Sequence, residues 1–337
     1  MTMHKAPHNR TPLSHAPRSA RRRTPAVTQQ RVMCPNLTMS RSGLSLGAVL
    51  IALAAAFSPA SAQENGVLAR GDAVITGFSG TKSPQGIPEA KRLDETFIDL
   101  DGASARIVNL EAQGAPEGQL LQPSSKLEVK ARDVGQTFAA TLDDSLLPDP
   151  AAGTPNIYLG ATSVFGLNIV GPDTDGDGRS ERLRKGDPKA QWMPGQFGAN
   201  GGPGTIYKID RSSGAVTPFA TLPGNNAPGI GDIVFDTTSL HFYASDLDSG
   251  RIHRIDTAGN LIDVFDHGEA GRAAVGLAPV ADDGKTANIK SASFKTDDPA
   301  TWGFTQPERR VWGLGLRAGR LYYATAGGPT IWSVSIG

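Results

Sequence analysis

Cysteine is nearly missing from this chain of 337 residues. There is one, Cys34, and it precedes the segment read below as a signal peptide. Residues 63–337 carry no thiol, which excludes disulfide staples and cysteine redox chemistry there. Excess charge of either sign is also missing: 33 Lys and Arg balance 33 Asp and Glu. A net charge of zero gives no reason to expect nucleic acid or an anionic membrane as partner. Histidine is sparse after residue 62, at His241, His253 and His267. His241 and His253 alternate with core positions and read as facing solvent or a neighbouring sheet. The apolar run Ala48 to Phe57 is ten residues, too short to span a bilayer, so no membrane span is expected in the mature chain.

Glycine (40) and proline (24) are plentiful. That composition suits many short strands joined by turns. Residues 1–38 are rich in Arg, Pro, Ser, Thr and His, without apolar periodicity. They read as a disordered or mis-annotated extension. Arg21-Arg22-Arg23 lies too far from the apolar run for a twin-arginine signal. Residues 39–62 read as a secretory signal peptide: a short basic start from Met39, the apolar run, then Ala60-Ser61-Ala62. Cleavage is expected after Ala62, with an uncleaved anchor as the alternative, and Met39 competes with Met1 as the start. The expected location is periplasmic or secreted. Gly43-Leu44-Ser45-Leu46-Gly47 matches a serine-hydrolase elbow by letters but lies inside the signal peptide and follows no strand.

Residues 63–337 read as one β-domain. Asp72 to Phe78 is a plausible strand, and Thr96–Leu100 and Ala105–Leu110 flank Asp101-Gly102, a hairpin signal. Leu127–Ala131 reads as another strand. A repeat then emerges. Its first element is Thr137–Asp143, Asp232–Asp236 and Val311–Leu316; its second is Asn156–Thr162, His241–Asp246 and Leu321–Thr325. Its third is Thr205–Asp210, Arg251–Asp256 and Thr330–Val334, and a fourth occurs at Ala215–Ala220 and Leu261–Phe265. Ile206 to Ile252 spans 46 residues, near the ~40–45 of a propeller blade. The reading is all-β: a β-propeller of four-stranded antiparallel blades, about four of them recognisable, incomplete or truncated. Insertions interrupt it at about 171–204 and 266–309.

The stretch from Tyr243 to Asp256, Tyr-x-Ser-Asp followed by Gly-x-Ile-x-Arg-Ile-Asp, resembles a blade of the NHL / TolB-like group of six-bladed β-propellers. The resemblance covers roughly residues 134–337. It implies a binding platform or assembly module. Some branches of the group are lactone hydrolases with a divalent cation in the central channel, held by Glu, Asn and Asp. That ligand set finds no residue-by-residue match here. Asp143, Asp232, Asp236 and Glu308 are the acids available for such a channel.

The sharpest local motif is Asp173-Thr174-Asp175-Gly176-Asp177-Gly178-Arg179-Ser180-Glu181. Acids at positions 1, 3, 5 and 9, with Gly at 6, can wrap one hard cation. The pattern resembles the DxDxDGxxE calcium loops of integrin-type propellers. Arg184 stands where an EF-hand needs Glu. Asp173, Asp175, Asp177 and Glu181 are the expected ligands of a structural Ca2+, against an ion-free acidic turn; Arg179, Arg182, Arg184 and Lys185 weaken the site. The Gly-rich run Gly195–Gly204 precedes a strand and reads as a flexible surface loop. Trp192 and Trp302, in the insertions, are candidates for a binding surface; Trp312 and Trp332, inside strands, read as packing. No catalytic or cofactor-binding residue is assigned. The function expected is an exported binding or scaffold protein of unknown protein or small-molecule partner. The alternative is a metal-dependent lactonase/esterase-like hydrolase.

Overall fold

The computed structural model describes residues 66–111, 124–143 and 153–336. The expected extension, signal peptide and cleavage site lie outside the described residues, as do Cys34 and Arg21 to Arg23. The described residues belong to one compact unit.

Among the described residues the regular structure is mostly β-strand, arranged in antiparallel sheets of two to four strands. In chain order, β1 (Asp72–Thr76), β2 (Thr81–Lys82), β3 (Phe97–Ile98), β4 (Ala103–Asn109) and β5 (Ser125–Lys130) come first. A single helical turn, α1 (Ala131–Val134), leads into β6 (Thr137–Leu142) and β7 (Ile157–Ala161). Then come three short strands, β8 (Ile169–Gly171), β9 (Glu181–Leu183) and β10 (Gln191–Trp192). The chain continues with β11 (Thr205–Ile209), β12 (Val216–Thr221), β13 (Ile230–Asp236), β14 (His241–Asp246), β15 (Arg251–Ile255) and β16 (Leu261–Asp266). It closes with β17 (Val311–Arg317), β18 (Arg320–Thr325) and β19 (Ile331–Ser335).

Two four-stranded sheets have the orders β6-β7-β11-β12 and β13-β14-β15-β16. Three-stranded sheets are β17-β18-β19, β1-β4-β5 and β10-β8-β9. The repeat elements read from the sequence therefore pair as meanders. In the middle sheet, β14 joins β15 through a tight turn: the Gly250 amide donates to the Asp246 carbonyl at 2.9 Å, with Gly250 at φ +71°. A left-handed residue closing such a turn favours glycine. Leu240 is a turn residue at φ +58° rather than the first residue of the strand. The strand β14 is buried along nearly its whole length, whereas β16 at the sheet's outer edge is largely exposed.

The first strands of successive sheets lie beside one another: β1 near β6, β6 near β13, β13 near β17. Side chains interlock across these joins. Phe242 meets Tyr158, Phe219 and Phe235 at ring-centroid distances of 4.4, 5.1 and 4.6 Å, tying the two four-stranded sheets together. Such pairs each add about 0.5–1.5 kcal/mol beyond area burial. At Gly160 a Cβ would sit 2.8 Å from Ile230 Cβ, so this backbone approach requires glycine. Asp232 bonds β13 to β17, its Oδ2 accepting from the Leu314 amide at 2.8 Å.

Two expectations are corrected here. The strands flanking Asp101-Gly102 do not form a hairpin: β3 pairs with β2, while β4 pairs with β1 and β5. The turn instead hands the chain from one sheet to another, and a Cβ on Gly102 would fall 2.0 Å from the Ser79 carbonyl oxygen. The Gly-rich run after Trp192 is also not a free surface loop along its length. Gln196 and Phe197 are buried, and the Tyr207 hydroxyl donates to the Phe197 carbonyl at 2.5 Å.

Both departures from the repeat carry structure. The segment between β7 and β11 holds the small sheet β10-β8-β9. The segment between β16 and β17 is irregular apart from a π-turn at His267–Gly271 and a 3-10 turn at Pro299–Thr301. The two segments bond to each other: Gly186 amide to Phe294 carbonyl at 2.9 Å, Asp187 amide to Ile289 carbonyl at 3.0 Å, and Thr296 amide to Arg184 carbonyl at 3.0 Å. Arg309, fully buried, anchors the end of the second segment through Asp266 at 2.8 Å and the carbonyls of Ser249 and Val280.

Candidate metal-holding hairpin

The acidic motif forms the loop between β8 and β9. Its backbone folds on its own carboxylates. Asp173 accepts from the amides of Gly176 at 2.7 Å and Gly178 at 2.8 Å. Both glycines have left-handed backbones, φ +80° and +83°, which turn the loop tightly enough for this. These amide bonds hold the Asp173 carboxyl below the usual aspartate range. Asp175 accepts from the Asp177 amide at 3.2 Å, and Asp177 from the Arg179 amide at 2.9 Å. Glu181, the first residue of β9, accepts from the Thr174 hydroxyl at 3.1 Å and is thereby turned back over the loop.

Two acidic groups result. Carboxylate oxygens of Asp173, Asp175 and Glu181 lie within 4.8 Å of one another, and so do those of Glu95, Asp175 and Asp177. A calcium–oxygen distance of about 2.3–2.6 Å places opposite ligands roughly 5 Å apart, so either group has the spacing to chelate a hard divalent cation. The four residues expected from the motif thus divide: three gather together, while Asp177 joins Asp175 and Glu95. Glu95 was not legible as a site residue, because it comes from the connection between β2 and β3, far away in sequence.

Cations already compete for these oxygens. Lys91 lies 3.2 Å from Asp175, which raises the lysine pKa chiefly through that hydrogen bond. Arg179 reaches Glu95 at 3.5 Å and Asp177 at 3.8 Å. Arg184 pairs instead with Asp94 at 3.3 Å, and Arg182 turns inward to Asn168 and the Thr96 carbonyl. The loop itself, residues 172–180, is exposed.

The acids considered for a central channel serve local structure. Asp143 accepts from the Asn156 amide at 2.7 Å, the Asn156 side chain at 2.6 Å and the Tyr158 hydroxyl at 3.1 Å, and lies 3.5 Å from Arg211. Asp232 is raised by burial while bonding the Ile233 and Leu314 amides. Asp236 closes its turn through Thr238 and Ser239. Neither acidic group above contains Asp143, Asp232, Asp236 or Glu308.

The β14–β15 turn gathers a second, buried polar set. Asp246 is 1% exposed and accepts from the side chains of Asn225 and Ser249, each at 2.6 Å. Asp248 accepts from the Asn226 amide at 2.7 Å, and burial pushes its carboxyl up to about 7. His253, expected to face solvent or a neighbouring sheet, is buried with Nε2 3.8 Å from Asp246. His267 is buried against Tyr323 and Trp332, and burial lowers it to about 4. It is therefore neutral near pH 7. His241 is half-buried beside Arg254.

Of the four tryptophans only Trp312, read as packing, sits differently from expectation, since it lines a cavity. Trp192 is partly buried: it packs on Phe197 and Phe294 and also lines a small cavity with Leu100, Arg132 and Met193. Trp332 packs as expected. Trp302 and Trp312 line one cavity with Phe304 and Arg310. Among the described residues, no helix is long and apolar enough to cross a membrane.

No protein-family model matches the chain, and no curated protein matches it. Among solved structures the chain is similar to apo AztD from Citrobacter koseri, with 13% identity and a TM-score of 0.29, over 80% of this chain and 55% of that one. The chain spans about half the length of that protein.

Proposed function

We propose that this chain is an exported β-propeller binding or scaffold protein, with a structural calcium ion held by the hairpin between β8 and β9. The observation that carries the reading is the convergence of Asp173, Asp175 and Glu181 within 4.8 Å. Three carboxylates at that spacing repel one another unless a cation lies between them. Calcium fits best chemically: the donors are all oxygen, the loop is exposed, and water can complete a coordination number of 6–8. Binding there stiffens the hairpin and steadies the small sheet that β8 and β9 build.

The propeller reading is supported by meandering sheets whose first strands lie side by side. Export is supported by the apolar run followed by Ala60-Ser61-Ala62. Binding is preferred over lactone hydrolysis because the carboxylates of Asp143, Asp232 and Asp236 are each engaged by neighbouring donors. Calorimetric titration of the chelator-treated protein with calcium tests the ion site. One saturable event lost in Asp175→Asn supports it, and no heat beyond dilution removes it.

A further inference from the structure

Away from the acidic hairpin lies a cleft of about 370 Å3. Its walls come from three places: Val164 after β7, Ala300 and Trp302 with Phe304 in the long segment before β17, and Trp312 on β17. The three aromatic rings form a row, with centroids 6.3 Å apart for Trp302–Phe304 and 6.2 Å for Phe304–Trp312. Adjacent to Val164, Phe165 pairs with Phe78 at 6.1 Å, and both are partly exposed. Such a volume falls within the ordinary range of small-molecule sites, roughly 300–1,000 Å3.

One cation faces this row. Arg310 is half-buried, and its guanidinium carbon sits 4.6 Å from the Phe304 ring centroid. Its Nε and Nη2 donate to the Thr305 carbonyl at 3.0 and 2.7 Å, fixing the plane of the group. Nη1 makes no hydrogen bond, and Arg310 joins no ion pair among the described residues. No acidic residue lines the cleft. Burial lowers the Arg310 pKa with no carboxylate to offset it. The remaining nitrogen of Arg310 is available to a carboxylate in the cleft. Buried Arg309 next to it shows the contrast, since it has Asp266.

We propose that the cleft binds a small organic anion with a flat apolar body, its anionic group meeting Arg310 and its body lying along Trp302, Phe304 and Trp312. The ring row supplies contact area for the body, and the fixed guanidinium plane suits an oxyanion pair such as a carboxylate. Neutral analogues lose the anion contact. The ligand class goes beyond the calcium reading and needs no metal.

The test is calorimetric titration with naphthoate, in chelator, alongside neutral naphthamide. The expected result is saturable naphthoate binding with Kd of about 0.1–1 mM, at least tenfold tighter than naphthamide. Arg310→Met removes the preference for the anion. Ala300→Phe, on the exposed rim, fills the cleft and abolishes binding of both compounds while the melting temperature stays put, which decides the matter should Arg310→Met fail to fold. Equal affinity for the two compounds, no saturable heat with the folded protein, or unchanged binding in Ala300→Phe overturns the proposal. Calcium binding is unaffected by any of these outcomes, so the two readings fail separately.

Discussion

The rings of Trp192 and Phe294 meet edge to face, 6.1 Å between centroids and 79° between planes. They belong to the two segments that depart from the repeat, so the departures pack on each other. Phe294 is 1% exposed and sits in the same core as Leu167, Ile169 and Phe197.

That contact makes Phe294 a joint structural residue of both segments. Phe294→Ala is expected to lower unfolding stability by about 3–5 kcal/mol, read by urea denaturation. Amide exchange should quicken at Gly186 and Asp187, whose amides bond the second segment. A loss below about 1 kcal/mol, within the range of ordinary surface changes, contradicts the packing described.

Asp248 gives a pH dependence whose sign is fixed. Its folded-state carboxyl is pushed up to about 7 by burial first and by Asp246 and Asp282 next, against an ordinary aspartate value of 3.8. Between about pH 4 and pH 7 the folded protein keeps a proton that the unfolded chain has released. Stability from this group is therefore greatest at low pH and falls as pH rises, by at most about 1.4 kcal/mol per unit, levelling off above about 7. Asp248→Asn keeps an acceptor for the Asn226 amide and removes the titration. Denaturation at several pH values should show the substituted protein gaining on the parent across that window. Parallel stability profiles contradict the assignment.

The repeat strands were legible because short runs rich in apolar and aromatic residues recur in the same order and end at turn residues, as His241–Asp246 and Arg251–Ile255 do. Local turn chemistry, such as Gly250 after Asp246, also reads directly. Pairing partners did not. A two-residue strand such as Phe97–Ile98 has too little pattern to declare its neighbour, so β3 was assigned to β4 in place of β2. The sheet β10-β8-β9 was invisible for the same reason. At the candidate metal site the contiguous acids could be read, but Glu95 could not, since only the fold brings it to Asp175. Trp312 lines a cavity although it lies in a strand, because exposure depends on the neighbouring segment rather than on the strand that carries the ring.

Lys91 competes with a metal ion for Asp175 at 3.2 Å. Lys91→Gln is expected to tighten calcium binding by roughly two- to fivefold, the range of an exposed charge pair. The gain should shrink at high salt, where such pairs are screened. Weaker binding in Lys91→Gln contradicts the competition.

The central claim is that the hairpin between β8 and β9 holds calcium. Thermal melting of the protein in calcium and in chelator tests it most directly, because a ligand bound only by the folded state raises the melting temperature. The expected result is a higher melting temperature in calcium, reversed by chelator, and no such difference in Asp175→Asn, which removes the carboxylate shared by both acidic groups. Identical melting curves with calcium and with chelator contradict the account.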